Sequence, residues 1–420
     1  MNDASPASGS DSAAPADVAI VGGGLVGASL AVALSGAGLG VALVESKPYG
    51  AADQPSFDER TTAISNGTRR VFEALGVWPL LARAATPIRR IHVSDRGRFG
   101  FARIDAAEQG VAALGYVVPN RVIGAALWRR LGESAVEVLA PASVTASRVE
   151  QDHRVLDLDL EDAKVARAAR LIVAADGVRS IVRESAGVGA TTWEYDQTAI
   201  ITNVATQRFH DYVAYERFTS EGPIAILPLA DGRCGVVWTL APSNAQSMLE
   251  SSDEDFTAAL QAAFGSRLGR FVKVGTRHAY PLALTRADEH VASRLAVVGN
   301  AAQGLHPIAG QGFNLGLRDA ACLAEVLVDA RREAGEDPFD PGAVEVLDRY
   351  RAWRQEDRGR IVAFTDGLVR AFSNPFGPVK LLRDLGMLAF DLSPGAKRAL
   401  SQLSLGAAGR VPRLARGAPL

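Results

Sequence analysis

Three short aliphatic runs punctuate the chain, and each gives way to a glycine-bearing loop and then to a helical stretch. Asp17–Val21 places Val18, Ala19, Ile20 and Val21 in succession, as a strand buried on both faces does. A glycine loop follows at once, then a helical run through Leu34, then a second strand at Gly40–Val44 that ends in Glu45. Leu171–Ala174 repeats the pattern and leads into Asp176-Gly177-Val178-Arg179-Ser180-Ile181-Val182-Arg183. The run Leu295–Val298 leads into GNAAQGLHPIAGQGFNLGLRD, residues 299–319, which holds five glycines and no charge before Arg318. Strands alternating with helices predict an α/β fold with a parallel sheet.

Elsewhere the period shortens to two. Ile91–Ser94 and Phe99–Ile104 flank a turn at Arg96-Gly97, and further strand runs lie at Thr198–Val204, Tyr212–Phe218, Ile224–Leu229 and Cys234–Leu240. They predict a mostly antiparallel, substrate-binding sheet inserted into a Rossmann-like domain. The expected division is a disordered tail at 1–16, a discontinuous cofactor-binding domain at 17–87, 117–190 and 286–345, a substrate-binding domain at 88–116 and 191–285, and C-terminal helices at 346–420. The nearly uncharged run Gly222–Leu229 suits either a wall for a greasy substrate or a plain buried strand.

Composition narrows the function classes. The 420 residues are 48% hydrophobic and 22% charged, with a net charge of −2, so no basic face for nucleic acid is expected. Cys234 and Cys322 stand far apart, which argues against a disulfide framework and for a reducing, cytoplasmic compartment. The six histidines show no HxxxH or HxH spacing, so no metal site is expected. Residues 18–44 carry no charge and are long enough to cross a bilayer, but glycines at 22, 23, 24, 36, 38 and 40 divide them into strand, turn, helix, turn and strand. Residues 376–420 hold seven Lys/Arg against two Asp, and Val379, Leu381, Leu382, Leu385, Leu388 and Phe390 supply an apolar face. That pairing suits a membrane surface or an acidic partner, or a helix packed on its own domain.

The first loop carries its chemistry in Gly22-x-Gly24-x-x-Gly27. Gly22 permits a tight turn, Gly24 lets backbone approach a pyrophosphate, and Gly27 lets helix and strand pack closely. The helix start offers unpaired N–H groups to phosphates. Glu45 can accept both ribose hydroxyls and repels a 2′-phosphate, which favours FAD or NAD over NADP. Strand, triplet, helix, strand and acid in that order make a dinucleotide cradle.

GxGxxG with its distal acid, then DGxxSxxR, then a GDxxH-like stretch running into proline resembles the class A FAD-dependent aromatic monooxygenases over about residues 17–345. Phe57-Asp-Glu-Arg-Thr-Thr-Ala-Ile-Ser65, Tyr215–Pro228 and Leu305–Asn314 resemble the ubiquinone-biosynthesis hydroxylases, and Gly299-Asn-Ala-Ala-Gln303 is similar to the 2-polyprenyl-6-methoxyphenol hydroxylase branch. The resemblance implies a fold like p-hydroxybenzoate hydroxylase and hydroxylation of a polyprenyl phenol with O2 through a flavin C4a-hydroperoxide. It implies FAD as cofactor, with NADPH or NADH as a transient electron donor. Gly22, Gly24, Gly27 and Glu45 would hold the ADP half. Arg60 would face the pyrophosphate or flavin edge, and Arg121 the adenylate phosphate region. Asp176 and Gly177 would touch FAD. Asn300 would bond the ribityl chain, and Gly310, Gly312, Phe313 and Asn314 would border the flavin ring.

The family pattern has Asp at position 300 and His at 303, where this chain has Asn and Gln. Asn300 keeps an acceptor oxygen and loses the anion. His306 either takes the phenolic proton or orients the loop, while Pro307 shapes the reaction face. A helix starting near Gly312 would point N–H groups at reduced flavin, where one preorganised donor is worth on the order of 3 kcal/mol. A polyprenyl substrate also implies peripheral contact with the inner face of the cytoplasmic membrane, or a ubiquinone-biosynthesis protein complex. Another FAD-dependent aromatic hydroxylase, an isoprenoid reductase and a flavin-binding scaffold remain open on sequence alone.

Overall fold

The computed structural model describes residues 15–51, 60–98, 100–304, 311–355, 393, 395 and 409–420. Its first sheet places Leu295–Val297, Lys164–Ala174, Ala16–Val21, Val41–Val44 and Glu137–Leu139 side by side and parallel. The aliphatic runs split by parity between two cores. Val18, Ile20, Leu171 and Val173 pack with the helices Leu25–Leu34, Asn120–Gly132 and Gln311–Ala334. Ala19, Val21, Ile172 and Ala174 pack instead with Val144, Leu156 and Leu158 of the hairpin Ser143–Glu150 and His153–Asp159. Covered on both faces, these strands show no polar alternation.

The expected tail ends too late. Ala16 already lies in the first strand and pairs with Ala169, because the parallel partner extends that far. Residues 1–14 lie outside the described set.

A second sheet has nine strands, and its main path runs Gln303–Gly304, His278–Ala287, Ala190–Thr206, Cys234–Leu240, Pro223–Pro228, Val213–Phe218, Arg90–Asp95 and Phe101–Asp105. Phe271–Val274 pairs with Ala190–Thr206 off that path. Every pairing is antiparallel except that of Val213–Phe218 with Arg90–Asp95. Ile200, Ile224, Ile226 and Trp238 face one side and pack against Phe256, Leu260 and Phe264. Those aromatics belong to the helix Asp253–Phe264, which follows a shorter helix at Pro242–Glu250. Both helices begin on strong local signals: Pro242 in the first turn, and Ser252 accepting the Asp255 N–H at 3.0 Å. Ile224 and Ile226 are therefore core residues, and the run that suited a substrate wall gives only its opposite-facing side chains to the open side.

A three-stranded sheet of Thr61–Ser65, Gly115–Pro119 and Thr86–Ile88 lies between these units in sequence. Near the C-terminus, residues 344–355 are helical, and Arg413 pairs with Asp329 and donates its backbone N–H to Glu325. The segment 409–420 is thus held on the Gln311–Ala334 helix. The basic, apolar segment around Val379–Phe390 lies outside the described residues. Among the described residues no helix is long and apolar enough to cross a membrane.

Candidate cofactor and active site

Because four neighbouring strands run parallel, their C-terminal ends bring the three sequence motifs to one sheet edge. Gly22 follows the first strand, Glu45 the second, Asp176 and Gly177 the third, and Gly299 and Asn300 the fourth. A cleft beyond the carboxyl ends of such strands is where α/β sheets bind ligands.

The glycine loop is shaped by close approach. Gly22 sits at φ +106°, and a Cβ there would lie 2.4 Å from the Ala175 carbonyl oxygen. At Gly27 an added Cβ would lie 1.9 Å from the Gly22 carbonyl, so the first helical turn can close on the strand only without a side chain. Gly24 is the N-cap of Leu25–Leu34, and that helix has neither a capping side chain nor an acidic residue in its first turn. Its leading N–H groups are left for an anion. Glu45, 7% exposed, accepts the Gly23 N–H at 2.6 Å and the Lys47 N–H at 2.9 Å. These bonds hold the carboxylate beside the glycine loop.

The second motif serves both of its readings. Ser180 caps the short helix Ile181–Ser185 by accepting the Arg183 N–H, as a plain turn would. Asp176, however, has one carboxylate oxygen buried with no partner among the described residues. Burial pushes its carboxyl above the ordinary carboxylate range, opposed by hydrogen bonds from Ser180 and the Val182 backbone. Gly177, at φ +87°, has nothing among the described residues within 4 Å of where a Cβ would stand. An orphaned acceptor beside an open backbone is what a hydroxyl-bearing cofactor can complete.

Arg183 joins the second and third motifs. Its side chain is 3% exposed and donates to the carbonyls of Val178 at 3.1 Å and Ala301 at 2.9 Å. From the other side, Gly299 turns at φ +60° against Val26, and its N–H donates to Asp319 at 3.2 Å. Asp319 is fully buried and paired at 2.8 Å with the fully buried Arg354. Gly316 brings the Gln311–Ala334 helix so close that a Cβ would stand 2.9 Å from the Gly299 Cα. Asn300 projects from this fixed turn and is exposed. Gln303 is 2% exposed, and its Nε2 has no partner among the described residues. Arg183 and Asp319 lie inside motifs legible in the sequence, but their tasks are not, because their partners Ala301 and Arg354 are distant in the chain.

The two arginines of interest are also brought together. The Asn120 N–H donates to the Arg60 carbonyl at 2.8 Å, which puts Arg121, exposed in the next position, beside the Arg60 segment. The Arg60 guanidinium lies over the Tyr280 ring, 5.2 Å from its centroid. The Asn314 side chain is committed within the protein, accepting from the Ser65 N–H and the Thr68 hydroxyl and donating to the Ala63 carbonyl. It anchors the helix start to the Thr61–Ser65 strand, so any part it takes at the flavin is one of positioning. Phe313 stacks on Phe72 with centroids 6.1 Å apart. Among the described residues, a Cβ on Gly312 would meet no atom within 4 Å. His306, Pro307 and Gly310 lie outside the described residues.

Residues 15–365 match the family described as "FAD binding domain". The chain belongs to this family. A ubiquinone hydroxylase, UbiL, of Rhodospirillum rubrum is 43% identical over 96% of this chain and 94% of its own length. The 3-demethoxyubiquinol 3-hydroxylase of Escherichia coli is 34% identical over 93% of this chain and 99% of its own. In structure, the p-nitrophenol 4-monooxygenase PnpA of Pseudomonas putida superposes with a TM-score of 0.77 at 20% identity, covering 94% of this chain and 99% of that one. At that identity the likeness speaks for the fold, which is that of the p-hydroxybenzoate-hydroxylase-like flavoproteins. The chain is thus an FAD-dependent monooxygenase, and the orphaned Asp176 oxygen, the uncapped helix and the open glycines fit FAD. Bound FAD supplies the redox chemistry and activates oxygen. The protein's share is to hold, orient and shield.

Proposed function

We propose that the chain hydroxylates the aromatic ring of a polyprenyl phenol on the route to ubiquinone, with 2-polyprenyl-6-methoxyphenol as substrate. The observation that carries this reading is the 43% identity to a ubiquinone hydroxylase over nearly the whole of both chains. In this reading Gly22, Gly24, Gly27 and Glu45 hold the ADP half of FAD, with Arg60 and Arg121 near its phosphates. Asp176, Gly177 and Asn300 take the ribityl side, and Gly310, Gly312, Phe313 and Asn314 shape the flavin end. His306 and Pro307 stand at the reaction face. NADH or NADPH delivers electrons transiently, and the apolar tail of the substrate brings the enzyme to the inner face of the membrane or into a complex of biosynthetic proteins.

A second substrate is favoured by one observation, the 34% identity to a 3-demethoxyubiquinol 3-hydroxylase along 99% of that protein. Expression in two strains separates the readings, one lacking methoxyphenol hydroxylation and one lacking demethoxyubiquinol hydroxylation. Rescue of the first alone supports the methoxyphenol, and rescue of the second alone replaces it. Restored quinone in neither, from soluble FAD-loaded protein, overturns the proposal.

A further inference from the structure

The nine-stranded sheet has one face filled and one face left for something else. Ile200, Trp238 and Ile224, in register across three strands, are at most 4% exposed beneath the Asp253–Phe264 helix. One residue along, the opposite face carries another row, Ile201, Val237, Ala225, Glu216 and Val93, paired across five strands. All five are only partly covered. Four are aliphatic, and the other is a carboxylate set between Ala225 and Val93.

This face is turned toward the cofactor side of the molecule. Gly235 shares it, and a Cβ there would lie 3.4 Å from the Thr61 hydroxyl. Ala199 shares it too, paired with Tyr280, whose ring lies beneath the Arg60 guanidinium. Ala214, two residues before Glu216, packs with Val117 and Leu229. The row therefore borders the space between the sheet and the segments that hold FAD.

Glu216 is out of place there as a structural residue. A carboxylate on a central strand is ordinarily paired or hydrogen-bonded. Among the described residues its carboxyl makes no hydrogen bond or ion pair, and its lateral neighbours are Val93 and Ala225. Among the described residues no charged group contributes to its titration: desolvation pushes it up to about 7, into the range where a carboxyl exchanges protons near neutrality. Tyr215 and Arg217, its neighbours in the chain, point to the other side, where Tyr215 meets Phe264 edge-on with centroids 5.5 Å apart.

We infer that Glu216 faces the substrate ring and takes the proton of its phenolic hydroxyl. The O–H bond breaks, the proton moves to the Glu216 carboxylate, and the electron pair stays on the phenolic oxygen and enriches the ring for attack on activated oxygen. The aliphatic neighbours hold the ring and keep water away, and the proton returns when the hydroxylated product leaves. The inference rests on the proposed aromatic hydroxylation, and it gives that reaction a proton acceptor distinct from His306.

The test compares FAD-loaded wild type with Glu216→Gln, which keeps shape and loses ionisation, and Glu216→Asp, which keeps the acid. Two probes are used: 2-geranyl-6-methoxyphenol for turnover, and 4-nitrophenol, whose ionisation on binding is read by absorbance. Glu216→Gln is expected to retain FAD, to lose about 100-fold in kcat, to lose the rise of kcat/KM through pH 7, and to bind 4-nitrophenol without ionising it. Glu216→Asp is expected to recover part of the rate and the pH dependence. Wild-type turnover with an unchanged pH profile in Glu216→Gln overturns the assignment. So does ionisation of bound 4-nitrophenol that is indifferent to Glu216, including in a variant that turns over slowly for structural reasons. If wild type ionises 4-nitrophenol through Glu216 yet hydroxylates no prenylated phenol, the assigned reaction fails while the role of Glu216 stands.

Discussion

The edge of the parallel sheet and the open face of the antiparallel sheet border the same space, but they are built by opposite means. At the edge, function is carried mostly by backbone: glycines that admit no side chain, helix N–H groups left uncapped, and a turn held by hydrogen bonds from buried charges. On the open face, backbone is consumed in ladders, and only side chains on alternate positions point to the side that the proposal gives to the substrate. The first region tolerates almost no change of atoms, and the second varies one residue at a time without disturbing its frame. A cofactor shared across a family suits the first, and a substrate that differs between relatives suits the second.

This contrast can be broken, most severely at the edge. Gly27→Ala sets a Cβ against the Gly22 carbonyl, and the expected outcome is no soluble FAD-loaded protein, checked by yield and flavin absorbance. Asp319→Ala removes the carboxylate bonded to the buried Arg354 Nε and the acceptor of the Gly299 N–H, with an expected loss of about 3–5 kcal/mol in urea unfolding. Arg183→Met removes the tie between the Val178 and Ala301 carbonyls, and about 2–4 kcal/mol of stability is expected to go with it, together with weaker FAD retention. A loss below 1 kcal/mol in either variant would show that the third loop does not depend on its buried charges.

The open face sharpens the comparison through pH. In the folded protein the Glu216 carboxyl is pushed from its usual 4.5 to about 7, so the folded chain holds an extra proton between those values. Stability is then fully present below about 4.5 and is lost as pH rises to about 7. Glu216→Gln abolishes the loss. Its melting temperature is expected to exceed that of the ligand-free wild type at pH 8 and to match it at pH 4.5. Equal pH dependence in the two proteins would mean that the carboxylate is hydrated. The smallest effect belongs to neither region: Arg148→Ala breaks pairs with Glu150 and Asp157 on an exposed hairpin and is expected to cost less than about 1 kcal/mol.

The parts legible in the sequence were those whose signal is local. Cys234–Leu240 is a strand over the very residues that its pattern marks, and the glycine triplet opens the expected helix. The Ala190–Thr206 strand shows a strand pattern only from Thr198, because its first half is polar and largely exposed, and its partner His278–Ala287 carries Pro281. Helix Asp253–Phe264 is absent from the expected elements, although its cap and acidic first turn are plain in the sequence. In the site, glycines and Glu45 declare themselves by spacing. Arg183, Asp319 and Arg354 cannot, since each acquires its task from a partner that only the fold brings near. Glu216 lies in the Tyr215–Pro228 stretch, and its aliphatic surroundings are set by cross-strand register, which no local pattern encodes.

The two-residue strand Gln303–Gly304 pairs with Thr285 and Arg286 at the rim of the large sheet, while Arg183 grips the same turn at Ala301. The flavin-side loop is therefore stitched into the substrate-side fabric. If the proposed site is right, an engineer who reshapes the His278–Ala287 strand for a new substrate also retunes the loop proposed to seat the cofactor, so altered specificity should be screened together with flavin content from the first variant onward.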